Sequence, residues 1–272
     1  MKRGMSPINL TVLTLGFAFL YLPILILIVF SFNESKLVNV WAGFSTKWYS
    51  EMAANDALID AALVTLEVGL ASSTLATILG TMAAVLLTRF GRFRGRTLFA
   101  GMVLAPLVMP EVIIGLALLL MFLSLGLSRG TLTVVIAHAG FSMAYVTVIV
   151  QSRLMTMDRA IEEAAQDLGC PPFRTFLNIT LPIIAPAVIA GWLCAFTLSL
   201  DDLVIASFTT GPGATTLPMK IYSQVRLGVT PEINAISTLM IGVVTAGVIA
   251  ASLINRRSHR RQGRADAPPR PA

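Results

Sequence analysis

An all-α membrane protein, a bundle of six transmembrane helices, is the fold this sequence predicts, and three observations predict it. Hydrophobic residues make up 56% of the 272 and charged ones 12%, where a soluble domain would carry about 25% charge. The charges gather in short blocks, leaving uncharged stretches of the roughly 20 residues needed to cross a bilayer core. Six apolar segments can be read by window: Leu10–Ser31, Ala61–Thr88, Leu98–Leu125, Thr131–Val150, Ile183–Phe208 and Ala235–Ile254. All six are expected to be helices, because a helix satisfies its own backbone groups in lipid.

Segment one follows Met1-Lys2-Arg3. Its apolar run is too long for a signal peptide, contains Pro23 and lacks an Ala-x-Ala-like exit, so it reads as a retained helix. The loop after it carries Trp41, Phe44, Trp48 and Tyr49, which either seat the segment at the interface as an aromatic belt or meet a solute-binding protein. In segment two, Ser72, Ala76, Gly80 and Ala84 recur every four residues, a ridge of small residues that lets another helix approach. Glu67 in the same segment is a weaker candidate for a transport path.

Segment three holds Pro106 and Pro110. Two missing backbone donors should bend that helix and bare carbonyls towards the bundle. Glu111, directly after, either lines a path or pairs internally. His138 in segment four has no second His or Cys to make a metal site with it, and reads as a satisfied polar contact. Segment five carries Asp201 and Asp202. A carboxylate at a membrane helix centre costs roughly 2.5–3.5 kcal/mol on insertion scales, so the pair needs a reason. It is either a cation-attracting site on a path or a helix-end network bonding a serine, an amide or backbone. Before segment six, Leu217–Leu227 reads as a short amphipathic helix closed by Gly228. Thr230 then caps the segment, with Pro231 at its first position and Glu232 in its first turn. Residues 1–254 are thus expected to form one transmembrane domain. Residues 255–272 should form a disordered basic tail that touches anionic lipid heads.

Fifteen of the 20 Lys and Arg residues lie at the termini, in the Arg89–Arg96 loop and between segments four and five; the other five fall on the opposite side. Six spans then place both termini in the cytoplasm. The basic balance records topology, and no nucleic-acid partner is read from it. Cys170 lies in a loop and Cys194 within a span, so no disulfide is expected. No convincing internal repeat accompanies the six segments, whereas an inverted-repeat secondary transporter would be expected to show one.

The longest cytoplasmic loop, residues 152–182, contains EEAAQDLGCPPFRTFLNITLP from Glu162 to Pro182. Glu162 to Leu168 favour a helix that Gly169 ends, and Pro171-Pro172 begin a second one. Phe173, Phe176 and Leu177, at i, i+3 and i+4, lay an apolar stripe along it, and Asn178 to Pro182 end it. Such a helix–turn–helix either lies on lipid or docks a partner, and its leading acids are unlike a basic interfacial anchor.

The spacing Glu163-Ala164-Ala165, three residues, Gly169, nine residues, Ile179-x-Leu181-Pro182 resembles the EAA motif of ABC-importer permeases. The resemblance implies that Glu163, Ala164, Ala165, Asp167, Gly169, Pro172, Phe173 and Phe176 form a coupling surface for a cytoplasmic ATPase. Three further stretches, Ser31–Met52, Phe196–Tyr222 and Gly228–Ala235, are similar to the polyamine branch of that family, closest to the second permease subunit of putrescine importers. That implies a type I importer bundle in a bacterial inner membrane. It also implies a second homologous permease subunit, two ATPase copies and a periplasmic polyamine-binding protein as partners. Asp201, Asp202 and Glu111 become candidates for the substrate path.

No Gly-x-x-x-x-Gly-Lys-Ser/Thr stretch occurs, so this chain cannot cradle ATP phosphates in that way; the resemblance implies that ATP and Mg are held by the partner ATPase and that this chain carries no cofactor. No nucleophile, base and metal constellation assembles in the sequence, so no bond chemistry is expected. The rival readings are an ABC permease for spermidine or another small solute, and a secondary transporter working alone.

Overall fold

The computed structural model describes residues 6–37, 40–227 and 231–265. In chain order the helices are α1 (Pro7–Phe30), α2 (Lys47–Ala53), α3 (Asp56–Arg89), α4 (Arg96–Leu104), α5 (Glu111–Ser124), α6 (Thr131–Thr156), α7 (Ala160–Asp167), α8 (Pro172–Thr175), α9 (Leu181–Leu200), α10 (Val204–Thr209), α11 (Leu217–Leu227) and α12 (Pro231–Ala265). The described residues contain no strand, only an isolated antiparallel bridge between Asn33 and Phe44. Two compact units form, residues 1–59 with 221–272, and residues 60–220.

In the first unit α1 is apolar on every side and exposes its large side chains, as a helix does when its solvent is lipid. The turn after it is built on Asn33. Its amide donates to the Val40 carbonyl at 2.7 Å, its Oδ1 accepts the Ala42 N–H at 2.9 Å, and its carbonyl accepts Trp48 Nε1–H at 2.6 Å. Trp48 is buried by this arrangement, and the Tyr49 hydroxyl lies 2.8 Å from Ser31 Oγ. Two of the four loop aromatics therefore serve the fold, while Trp41 and Phe44 stay exposed. α12 packs on α1 and α2, and Glu232 in its first turn accepts Asn55 Nδ2–H at 3.0 Å. α11 has the bounds read from the sequence; Gly228 and Thr230 lie outside the described residues. α12 stays helical to Ala265, past residue 255 where the disordered tail was expected. Arginine is a good helix former, and no proline interrupts before Pro268.

In the second unit the small-residue ridge of α3 is a packing face. Ser72, Ala76 and Ala84 are fully buried. A Cβ on Gly80 would sit 2.8 Å from Val146 Cβ and 2.9 Å from the Met143 carbonyl. α9 also packs on α6, where Gly191 faces the same Val146. Val146, Val150, Leu154, Ile184 and Ala195 fill the space between. Because lipid is as apolar as these side chains, close backbone approach and dispersion hold the helices together.

Two segments differ from their sequence reading. Segment three is two helices: α4 and α5 meet at 114°. Pro106 sits in a 3-10 turn, Ala105–Leu107, and Pro110 is extended at ψ 134, so the missing donors end the helix instead of bending it. Segment five also stops early. α9 ends at Leu200 and the chain restarts at Val204, leaving Asp201 and Asp202 in the break instead of within a span. Among the described residues, Ile8–Phe30, Asp56–Arg89, Thr131–Thr156 and Pro172–Leu200 are long and apolar enough to cross a membrane, with the broken α4–α5 pair as a fifth. The apolar residues of α12 stay the proposed sixth.

Candidate functional site

The loop between α6 and α9 folds as a compact unit. Asp158 Oδ1 accepts the Ala160 N–H at 3.0 Å and opens α7. α7 closes on Gly169, whose φ of +88 only glycine adopts freely. There the Gly169 N–H donates to the Gln166 carbonyl at 2.9 Å and the Cys170 N–H to the Ala165 carbonyl at 3.0 Å, the paired closure of a Schellman motif. α8 does not end at Asn178–Pro182, as the sequence reading had it. It passes through a π turn, Phe176–Thr180, directly into α9. Pro182 has no N–H, and its ring would press on the Asn178 carbonyl in a regular α-helix; the wider turn gives it room.

The predicted docking residues share this loop. Glu163, Ala164, Asp167, Gly169, Pro172 and Phe173 are exposed, and Ala165 is half-buried. Phe173 at 71% and Leu168 at 90% exposure are its most prominent apolar groups, with Ile161 and Leu177 beside them in the sequence of helices. Phe176, read as part of the stripe, is half-buried instead.

Sequence reasoning passed over Glu162, which fixes the loop from behind. It is buried; its Oε1 accepts the Thr180 hydroxyl at 2.6 Å and its Oε2 lies 2.6 Å from Arg89 Nε. One carboxylate thus joins α7, the start of α9 and the end of α3. Arg159 adds a bond from its guanidinium to the Thr88 carbonyl, and Arg96 Nη2 donates to the Leu87 carbonyl at 2.7 Å. These are last-turn carbonyls of α3, left without helical partners and suited to cations. The available signal was a second acid beside Glu163, set against a basic loop.

The candidate path acids separate. Asp202 caps α10 with both oxygens, taking the Ile205 N–H at 3.1 Å and the Ala206 N–H at 2.9 Å. Its Oδ2 also lies 2.8 Å from His138 Nε2. His138 Nδ1 is 2.7 Å from Ser199 Oγ, which accepts the Ser72 hydroxyl at 3.1 Å. This chain of buried polar groups ties α3, α6, α9 and the break together, and gives His138 the satisfied contact read from the sequence. Asp201 beside it is exposed. Glu111 is the exposed first residue of α5. α5 packs on α10 so closely that a Cβ on Gly115 would lie 2.5 Å from Phe208 Cδ2.

Residues 76–264 match the family described as "Binding-protein-dependent transport system inner membrane component". The chain is 56% identical over 263 residues to the putrescine transport system permease protein PotI of Escherichia coli K12, covering 94% of each. It is 44% identical over 244 residues to the spermidine/putrescine transport system permease protein PotC of the same organism, covering 90% of this chain and 92% of that one. Among solved structures, a chain of a bacterial ABC transporter that imports the acidic polysaccharide alginate superposes with TM-score 0.71 at 14% identity, over 92% of this chain and 99% of that one.

Proposed function

From the premise that this chain belongs to the binding-protein-dependent transport system inner membrane component family, we propose that it is one permease subunit of an ATP-driven polyamine importer, forming half of the translocation path for putrescine. The chain is a multi-pass transport component and not an enzyme. The observation that carries the reading is the folded loop 152–182, exposing Leu168 and Phe173 while Glu162 fastens its back to α3 and α9. The choice of putrescine is supported by the 56% identity to a putrescine permease against 44% to a spermidine/putrescine one.

In this proposal an ATPase subunit receives the Phe173–Leu168 surface, with Glu163, Ala164, Ala165, Asp167, Gly169 and Pro172 forming its floor and Phe176 its inner edge. Two ATPase copies bind and hydrolyse ATP with Mg. A second homologous permease completes the path, and a periplasmic protein delivers the polyamine. Closure of the ATPases pushes α8, and the unbroken run into α9 carries that displacement to the Asp201 break. Asp201, free of the capping role that holds Asp202, is the path carboxylate; Glu111 stands as a second. Both termini are cytoplasmic, and a reporter after Leu253 should be cytoplasmic while one within residues 33–54 is periplasmic.

Uptake of labelled putrescine into vesicles holding the assembled complex tests the substrate. The proposal expects ATP-dependent uptake that unlabelled putrescine suppresses at lower concentration than spermidine does. Stronger suppression by spermidine moves the assignment to that polyamine, and uptake without any ATPase subunit overturns the importer.

A further inference from the structure

A cavity of about 350 Å³ opens where α3 ends, α4 begins and α6 meets α7. Arg89, Arg96, Arg159 and Gln151 line its polar side, and Met155 and Met157 its apolar side. We propose that this cavity binds the phosphodiester headgroup of an anionic membrane lipid.

The charge count points to a singly charged anion. Three guanidinium groups line one small space, and the acceptors they meet are the Glu162 carboxylate and the Leu87 and Thr88 carbonyls of the α3 end. One full negative charge and a helix C-terminus, worth about half a charge, leave the three cations short of neutral by more than one charge. Donors are also left over. A guanidinium carries five N–H groups. The largely buried Arg89 side chain meets the Glu162 carboxylate through Nε at 2.6 Å, which leaves the rest of its fork for a further acceptor. A phosphodiester presents two oxygens to such forks, and guanidinium groups bind phosphate in pairs of parallel bonds.

The position favours a lipid as the source of that phosphate. α3 and α6 are both long and apolar enough to cross a membrane, and the cavity lies at the end where they give way to Arg-rich connections, the level of lipid headgroups. Exposed Phe90, Leu98 and Met155 flank these helix ends and suit an acyl chain leaving a phosphate. The site requires only that α3 and α6 span a bilayer. It stands whether or not the transported solute is a polyamine.

The test is native mass spectrometry of the assembled complex in detergent, titrated with phosphatidylglycerol or phosphatidylcholine. The expected result is retention of phosphatidylglycerol at about tenfold lower concentration than phosphatidylcholine, since each basic residue at a membrane surface adds to binding of anionic lipid. Arg96→Gln, and independently Gln151→Glu, which sets a carboxylate in the cavity without removing any arginine bond, should each erase most of that preference in complexes of unchanged composition. Equal retention of the two lipids by the wild-type complex overturns the site, as does a preference that both variants keep. Inorganic phosphate in a third arm should protect the complex against heat less well than the lipid. Equal protection by phosphate, with no lipid retained, overturns the lipid assignment.

Discussion

Arg89 and Glu162 stand 2.6 Å apart with little exposure, joining the last residue of α3 to the first turn of α7. Glu162 also accepts the Thr180 hydroxyl, so one carboxylate sets the loop against two long helices. In the proposed docking role, this fastening is what would carry a push on Phe173 to α3 and α9.

The fastening predicts an order of damage. Glu162→Gln keeps shape but removes the charge, and Arg89→Gln leaves the buried carboxylate without its cation, holding only the Thr180 hydroxyl. Each should cost about 1–3 kcal/mol, the range for stranding a buried hydrogen-bonding group. Thr180→Val should cost less, because the ion pair survives it. Thermal midpoints of the purified subunit read this, together with a double-mutant cycle between Arg89 and Glu162. Additive losses would show that the two do not act together. In vesicles, the Glu162→Gln complex should hydrolyse ATP while moving less putrescine per ATP.

The proposed docking surface predicts the opposite pattern. Phe173→Asp alters an exposed side chain and should leave the subunit's stability within about 0.5 kcal/mol of wild type. Recovery of the ATPase with the tagged permease should fall sharply. Glu163→Lys should behave alike. Gly169→Asp adds strain to the loss, because its φ of +88 disfavours a side chain by about 1–2 kcal/mol. Full recovery of the ATPase with Phe173→Asp and Glu163→Lys would remove the docking role.

How far the sequence reveals this molecule depends on how local the cause is. Helix existence is legible because lipid leaves few alternatives, and the Schellman closure at Gly169 is legible because one residue type dominates that position. The every-fourth-residue ridge of α3 was equally plain. The break at Asp201 was not. An 18-residue apolar window runs on through the pair, and only the backbone N–H groups of Ile205 and Ala206, bound to Asp202, show that a helix restarts there. The role of Glu162 was hidden for a similar reason: Arg89 and Thr180 are remote in sequence, and no spacing rule links them.

The ridge predicts an overpacking test. Gly80→Ala places a Cβ 2.8 Å from Val146 Cβ, too close for the backbones to stay where they are. The expected loss is about 1–3 kcal/mol, read as a lower thermal midpoint. Val146→Ala should recover part of it by clearing one neighbour, while the Met143 carbonyl at 2.9 Å keeps the rescue incomplete. Full tolerance of Gly80→Ala alone would mean that α3 and α6 are not pressed together at this point.

The two acids at the α9–α10 break should part company under mutation. Asp202→Ala strips the cap from α10 and leaves His138 without its Nε2 partner. A lost cap alone costs about 1 kcal/mol, so yield and thermal midpoint should fall first and uptake with them. Asp201 is exposed and makes no such contact. Asp201→Asn should therefore leave assembly and basal ATP hydrolysis at wild-type levels. Putrescine uptake should nevertheless fall several-fold, since a dication crossing a medium drier than bulk water loses an attraction that grows as the dielectric drops. Asp202→Asn tests the division from the other side. It retains one acceptor for the cap, so its stability should lie between wild type and Asp202→Ala, and uptake should follow the amount of folded complex. Labelled-putrescine uptake normalised to assembled complex reads all three variants. Unchanged normalised uptake in Asp201→Asn would strike Asp201 from the path, and a normalised loss confined to Asp202→Asn would reverse the assignment of the two residues.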